Sequence, residues 1–293
     1  MKPTIQGKYI YEFSHENEPI TSIKLGDTIE VETIDCYSGA LKTERDLITD
    51  FPTLKANPAT GPIYIENVNK GDVLEVIIKK IDLNSVGVMP TRPNRGLLGD
   101  YIQETQTRIL SIDHDIVTLN QSIRFPVHKM IGVIGVAPQG EAISNTTPGE
   151  HGGNMDTKDI TEGNTLYLPV FHPGGLLALG DLHASMGDGE LNGSGVEVGG
   201  KVTLQINKIE GVTLNMPIVK TEDHVMIIGS ATDFRDAVRK AMLEAIRLIQ
   251  HKNEMEFADA YRLLSAIGDL RVSQLVNPKV TVRIVLPKEW VSI

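Results

Sequence analysis

The chain has 293 residues, a hydrophobic fraction of 41% and a formal charge of −10. That is enough apolar material for a folded core, so disorder is not the expected state. Binding by phosphate neutralisation needs clustered Lys and Arg, so this balance argues against a nucleic-acid partner. The opening stretch MKPTIQGKYIYEF lacks the apolar run of a signal peptide, and the apolar stretch near 130–138 is too short and glycine-interrupted to span a bilayer. A single cysteine, Cys36, has no partner for an internal disulfide. A cytoplasmic protein with no membrane partner is expected.

Taken in chain order, short β-branched runs follow Gly-Asp turns. Gly26-Asp27 precedes TIEVETI, Gly71-Asp72 precedes VLEVIIKKI, and GGKVTLQINKI at 199–209 repeats the glycine-then-strand form. These read as recurring turn chemistry and not as an internal repeat. No segment up to about Asn215 carries a sustained helical period. A mainly β fold is expected, with a β-sandwich or barrel-like catalytic body over 1–215. Its long Gly/Pro/Asn-rich loops, near 84–106 and 140–165, are of the kind that form sites.

After Pro217 the character changes. A short strand, VMIIG, precedes DFRDAVRKAMLEAIRLIQHK, which puts Phe234, Ala237, Val238, Ala241, Ala245, Ile246 and Ile249 on one helical stripe. Thr232 or Asp233 is placed to cap this helix, and a second helix over roughly 255–267 ends at Gly268, suited to a C′ position. RVSQLV and VTVRIVL close the chain, so residues 216–293 read as a small α+β C-terminal unit.

The densest polar cluster is GDLHASMGDGE at 180–190. On a strand, the two-residue spacing of Asp181 and His183 puts both side chains on one face, roughly 6 to 7 Å apart along the chain. Carboxylate plus imidazole suits zinc or a similar divalent metal. Asp188 and Glu190 repeat the spacing among glycines, where a solvated turn is the plainer reading. Glu197, between two valines, either completes a site or meets solvent. A second cluster, GEHGGNMDTKD at 149–159, sets Glu150, His151, Asn154 and Asp156 among glycines that allow close backbone approach, or else is a flexible surface loop. Asp35 ends a strand beside Cys36 and is equally the start of a turn through Ser38-Gly39. Cys36 as a nucleophile is disfavoured, because the adjacent carboxylate raises a thiol pKa.

With these residues in view, the chain resembles the acetamidase/formamidase family over nearly its whole length. The resemblance rests on NPATGPIYIE at 57–66, GGNMDTK at 152–158, LPVFHPGG followed by GDLHASMGDGE, and GDLRVSQLVNP with TVR at 268–283. It implies hydrolysis of a small amide of the formamide or acetamide type, a mostly β fold, and self-association as a dimer or larger homo-oligomer. Resemblance and local chemistry meet at one mechanism, in which a divalent ion, zinc before calcium, is held by Asp35, Asp181, His183 and Glu197. Glu190 or Asp188 then shuttles a proton to the departing nitrogen, with Asn154 and His151 as further catalytic candidates and Asn154 stabilising the oxyanion. The competing readings are a non-catalytic metal-binding β-sandwich module and a hydrolase of another small C–N substrate.

Overall fold

Alternation of apolar and polar residues builds the first sheet. In the computed structural model, which describes residues 3–293, the strand Thr28–Thr33 buries Ile29 and Val31 completely and turns Glu30 and Glu32 outward. Val202 pairs with Val31 on one side and with Ile81 on the other, so Gly200–Ile209 lies between Thr28–Thr33 and Val73–Leu83. The three glycine-then-strand stretches are therefore neighbours in one antiparallel layer. Their turns share a mechanism: Gly26 and Gly71 have φ of +88° and +94°. Asp27 and Asp72 then accept backbone N–H bonds from Lys24 at 2.8 Å and Asn69 at 2.9 Å.

The same sheet, nine strands in all, continues through Thr165–Pro169 into Ile218–Lys220, His224–Ala231, Val280–Pro287 and Asp269–Gln274. The strands after residue 216 thus extend the sheet that begins in the first part of the chain. The helices there, α1 (Phe234–Asn253) and α2 (Phe257–Ile267), pack Ile246, Ile249 and Leu264 against Ile227 and Leu286 in a cluster of their own. Asp233 caps α1 by accepting from Arg235 N at 2.8 Å and Asp236 N at 3.2 Å. The buried stripe starts at Ala237, because Phe234 is 39% exposed.

Gly268 ends α2 differently from expectation. Its φ is −95°, not left-handed, and its N–H donates to Leu264 O. Glycine is required there by space, since a Cβ would lie 2.7 Å from that carbonyl oxygen.

A second sheet of eleven strands packs on the first through one core that includes Ile29, Val31, Ile63, Val76, Leu110, Ile131, Leu182 and Val202. The fold is mainly β. Two of its strands, Val86–Thr91 and Gly152–Asn154, fall where only loops were expected, since glycine and proline hid their pattern. The strand Met130–Gly135 is buried throughout, and its Val133 faces Asn154 on one side and Gly180 on the other. The GGN and GDLH segments are thereby brought to either side of one strand.

Candidate active site

All seven residues of Leu177–His183 are buried. Asp181 takes φ +56° within this strand, a left-handed conformation that costs energy for a residue with a side chain. The kink brings Asp181 Oδ1 to 3.5 Å from His183 Nε2. Glu197 is the cross-strand partner of His183 and places Oε2 3.0 Å from the same nitrogen. Its other oxygen, Oε1, accepts from Ser194 Oγ and Gly195 N, each at 2.9 Å.

Asp156, also at positive φ, comes in from the far side of Met130–Gly135. The missing side chain at Gly132 makes the room: a Cβ there would meet Asp156 Oδ1 at 2.6 Å and Asp181 Oδ2 at 2.8 Å. Three amides knit these carboxylates together. Asn57 Nδ2 donates to Asp181 Oδ2 at 3.1 Å, and Asn277 Nδ2 donates to Asp156 Oδ2 at 2.6 Å. The neighbours of Asn154 set its amide orientation: Nδ2 donates to Asp156 Oδ2 at 3.1 Å and Asp181 Oδ2 at 3.2 Å, while its oxygen accepts from Asn57 and Asn277.

What remains unpaired is specific. Asp181 Oδ1, both ring nitrogens of His183, Glu197 Oε2 and Glu190 Oε2 are buried without a hydrogen-bond partner. Polar atoms in that condition are costly unless another group satisfies them. Ligand atoms held about 2.0–2.1 Å from a tetrahedral ion lie about 3.3 Å from one another, and those around His183 Nε2 lie at 3.0 and 3.5 Å. The donor set fits a divalent cation. Two groups of buried side chains converge closely enough to hold a metal ion, Cys36 with Asp181 and Glu197, and Asp156 with His183 and Glu190.

Burial and crowding set the charges. Burial, then Glu197, pushes Asp181 up to about 6, and burial, then Asp181, does the same for Asp156. Burial, and after it the Asp156 charge, holds Glu190 well above the usual carboxylate range. Burial opposes charge on His183, but Glu197 and Asp181 outweigh it and raise the imidazole well above its ordinary value. The Cys36 thiol is pushed well up by burial and then by Glu197 and Asp181, which keeps it protonated and unsuited to attack.

Cys36, Asp181, Glu190 and Glu197 border a cavity of about 100 Å³ whose other walls include Tyr37, Pro90, Arg92 and Asn277, with His183 behind Asp181 and Glu197. Of the expected site residues, Asp181, His183, Glu190, Glu197 and Asn154 are brought together here. Asp35 is not in either metal-holding group, and its Oδ1 accepts from Tyr37 N at 2.8 Å and Gly39 N at 3.1 Å, as a turn-starting Asp does. Asp188 turns away to Arg283, whose Nη2 donates to both carboxylate oxygens at 2.8 and 3.0 Å, and to Lys158 Nζ at 3.1 Å. His151 borders a different cavity. Asn154 lies at the centre, but its amide hydrogens are spent on carboxylates. Asp156 was named in the second cluster but given no role, and Asn57, Asn277 and Ser194 went unforeseen. The first three lie inside the segments that carry the family resemblance, the one signal in sequence that marked them.

The pattern of the Acetamidase/Formamidase family matches residues 4–147 and 139–292. The chain is 43% identical to a predicted acetamidase/formamidase from Thermoanaerobacter tengcongensis, at a TM-score of 0.96, covering 99% of this chain and 96% of that one. An acetamidase from Bacillus halodurans is 42% identical at a TM-score of 0.95, covering 99% and 98%. The formamidase of Methylophilus methylotrophus is 24% identical over 272 residues, and the match covers 71% of this chain and 66% of that protein's length. On these matches, spread across both sheets and the site they carry, the chain belongs to the acetamidase/formamidase family.

Proposed function

We propose that the protein hydrolyses a small aliphatic amide, of formamide or acetamide size, to its carboxylate and ammonia, with a divalent ion held by Asp181, His183 and Glu197. The observation that carries this reading is the set of partnerless, buried ligand atoms around His183 at the wall of a small cavity. A volume of about 100 Å³ is well below the roughly 300–1,000 Å³ of clefts that take drug-sized ligands, which favours a substrate of very few carbons. Zinc is the favoured ion, because it accepts imidazole with carboxylates, whereas calcium takes oxygen ligands and would strand the His183 nitrogens.

Bound there, the ion supplies Lewis acidity for the amide carbonyl and acidifies water. Glu190, at the cavity wall beside Asp181 and Glu197, accepts in its ionised form a proton from the attacking water. It returns that proton to nitrogen as the C–N bond breaks, so the nitrogen departs as ammonia and the water oxygen stays on the carbonyl carbon. Asn154, Asn57 and Asn277 hold Asp156 and Asp181 in place and act as positioning residues. The protonated Cys36 takes no part in attack.

A dimer or larger assembly belongs to the same proposal. It is supported by Leu97, Leu98, Tyr101 and Leu191, which are exposed large apolar side chains, three of them bordering one apolar surface groove. A reducing, cytoplasmic setting agrees with a lone buried thiol. Among the described residues no helix is long and apolar enough to cross a membrane.

The test is metal content and ammonia release from formamide, acetamide and propionamide, measured on one purified sample. Ammonia from at least one of them is expected. A sample that holds metal and releases none would return the chain to the metal-binding module reading.

A further inference from the structure

We infer that Ala56 and Thr146 form the neck through which the acyl chain of the substrate leaves the catalytic cavity, and that these two side chains set the chain length the site accepts. The inference rests on the proposed amide hydrolysis and adds to it the residues that select among amides. A cavity of about 100 Å³ holds the amide group and little more. The carbonyl carbon carries its oxygen toward the ion and its nitrogen toward Glu190, so the third substituent, the acyl chain, needs another way out.

Three further cavities share walls with the catalytic one, and the residues at each boundary differ. Glu190 and Ser194 stand before the first, and both are engaged in the proposed chemistry, one as proton shuttle and the other holding Glu197. Arg95 stands before the second. Its Nη1 donates to Val276 O at 3.2 Å and its Nη2 to Gly193 O at 3.5 Å, so a chain passing there would displace a bonded guanidinium. The third, of about 690 Å³ and walled in part by Tyr9 and Tyr11, shares only Ala56 and Thr146 with the catalytic cavity among the described residues. Both are small and half-buried. An alkyl chain can pass there without breaking a hydrogen bond of the site.

The neck is held at a fixed width. Asn145 is fully buried, and its Nδ2 donates to Ile10 O and Asn57 O, each at 2.8 Å. Its backbone N–H donates to Tyr11 O at 3.0 Å. Ala56 precedes Asn57 and Thr146 follows Asn145, so the two neck residues extend from the two ends of one buried hydrogen bond. Asn57 is tied in turn to Asp181. Backbone pinned in this way does not spread for a bulkier chain, so side-chain volume at the neck decides what fits.

The experiment measures kcat/KM of the metal-loaded, full-length protein for formamide, which has no acyl chain, and for butyramide. Ala56→Val adds two methyl groups at the neck and should lower the butyramide-to-formamide ratio by about tenfold or more, the effect of a methylene in a fitted pocket. Thr146→Ser removes one methyl group and keeps the hydroxyl that lies 3.0 Å from Ser144 Oγ. It should raise the ratio by about threefold or more. Metal content and the melting transition of each variant report an intact fold. A ratio that either variant leaves unchanged, or that both move in the same direction, would overturn the inference. Wild type that releases ammonia from neither amide removes the hydrolysis reading, and saturation-transfer NMR of the same two amides on the same three proteins then decides the neck by itself. Opposite shifts in butyramide affinity relative to formamide uphold it, and equal affinities or no binding overturn it.

Discussion

His183 and Glu197 face each other as directly paired residues of two antiparallel strands, with Nε2 and Oε2 3.0 Å apart but not in hydrogen-bond geometry. Cross-strand pairing brings their Cβ atoms within about 4.5–5.5 Å, so the backbone register itself aims an imidazole and a carboxylate at one point. Ser194 and Gly195 then hold the second oxygen of Glu197, which leaves Oε2 free to face the ring.

Ser194 is accordingly predicted to act through Glu197. Ser194→Ala removes one hydrogen bond to Oε1 and should cost about 1 kcal/mol of stability. As the loss of a group that orients a ligand, it should also weaken metal affinity by about 10–100-fold. Competition titration with a metal indicator measures this, and unchanged affinity would show that Gly195 N alone fixes the carboxylate.

Asp188 is predicted to be structural. Its carboxylate meets the fully buried Arg283 guanidinium, which also lies 2.8 Å from Asp159 and donates to Val272 O, so it ties the GDGE turn to the strand Val280–Pro287. Asp188→Asn should lower unfolding stability by about 1–3 kcal/mol, less than for a wholly buried pair because the acid is partly exposed. Metal content should be unaffected in the folded fraction. Urea denaturation with metal analysis checks both, and a stable variant with no turnover would restore Asp188 as the proton shuttle.

The sequence exposed the strands of the first sheet because its turns repeat a local device, a glycine at positive φ with an Asp side chain accepting a backbone N–H, which is complete within a few residues. Asp181 and His183 stood out because their spacing is local, but Asp181 reaches His183 from a left-handed backbone and not through the regular strand alternation that the spacing implied. The pairing of Glu197 with His183 was not legible, because strand register is a long-range property that local pattern does not carry. Asp156 was visible only as one acid among glycines. Its role depends on Gly132, on a neighbouring strand, having no side chain. Asp188 and Glu190 share a turn and a residue class, and what separates them is Arg283, far along the chain.

Glu244 gives a pH-dependent stability prediction away from the site. Its carboxylate accepts from Asn215 N at 3.0 Å, Asn215 Nδ2 at 2.8 Å, Arg247 Nε at 3.0 Å and Arg247 Nη2 at 2.7 Å. Burial alone would raise its pKa, but these donors outweigh it and lower it below the ordinary 4.5. A depressed carboxylate pKa means stability that is fully present above the unfolded value and lost as pH falls through the folded one. Wild type should therefore exceed Glu244→Gln by about 1–3 kcal/mol at neutral pH. Denaturation series should show that margin shrinking below about pH 4.5, and a margin independent of pH would contradict the charge-based account.

The most direct measurement of the catalytic account is Glu190→Gln assayed for bound metal and for formamide and acetamide turnover on the same preparation. Glutamine keeps the volume and a hydrogen-bonding head but cannot carry a proton between water and nitrogen. The account predicts full metal content, a KM close to wild type, and kcat lower by about 10²–10⁴. An unchanged rate would show that Glu190 is only part of a turn, and loss of the metal would make it a ligand; either result contradicts its assignment as the proton shuttle.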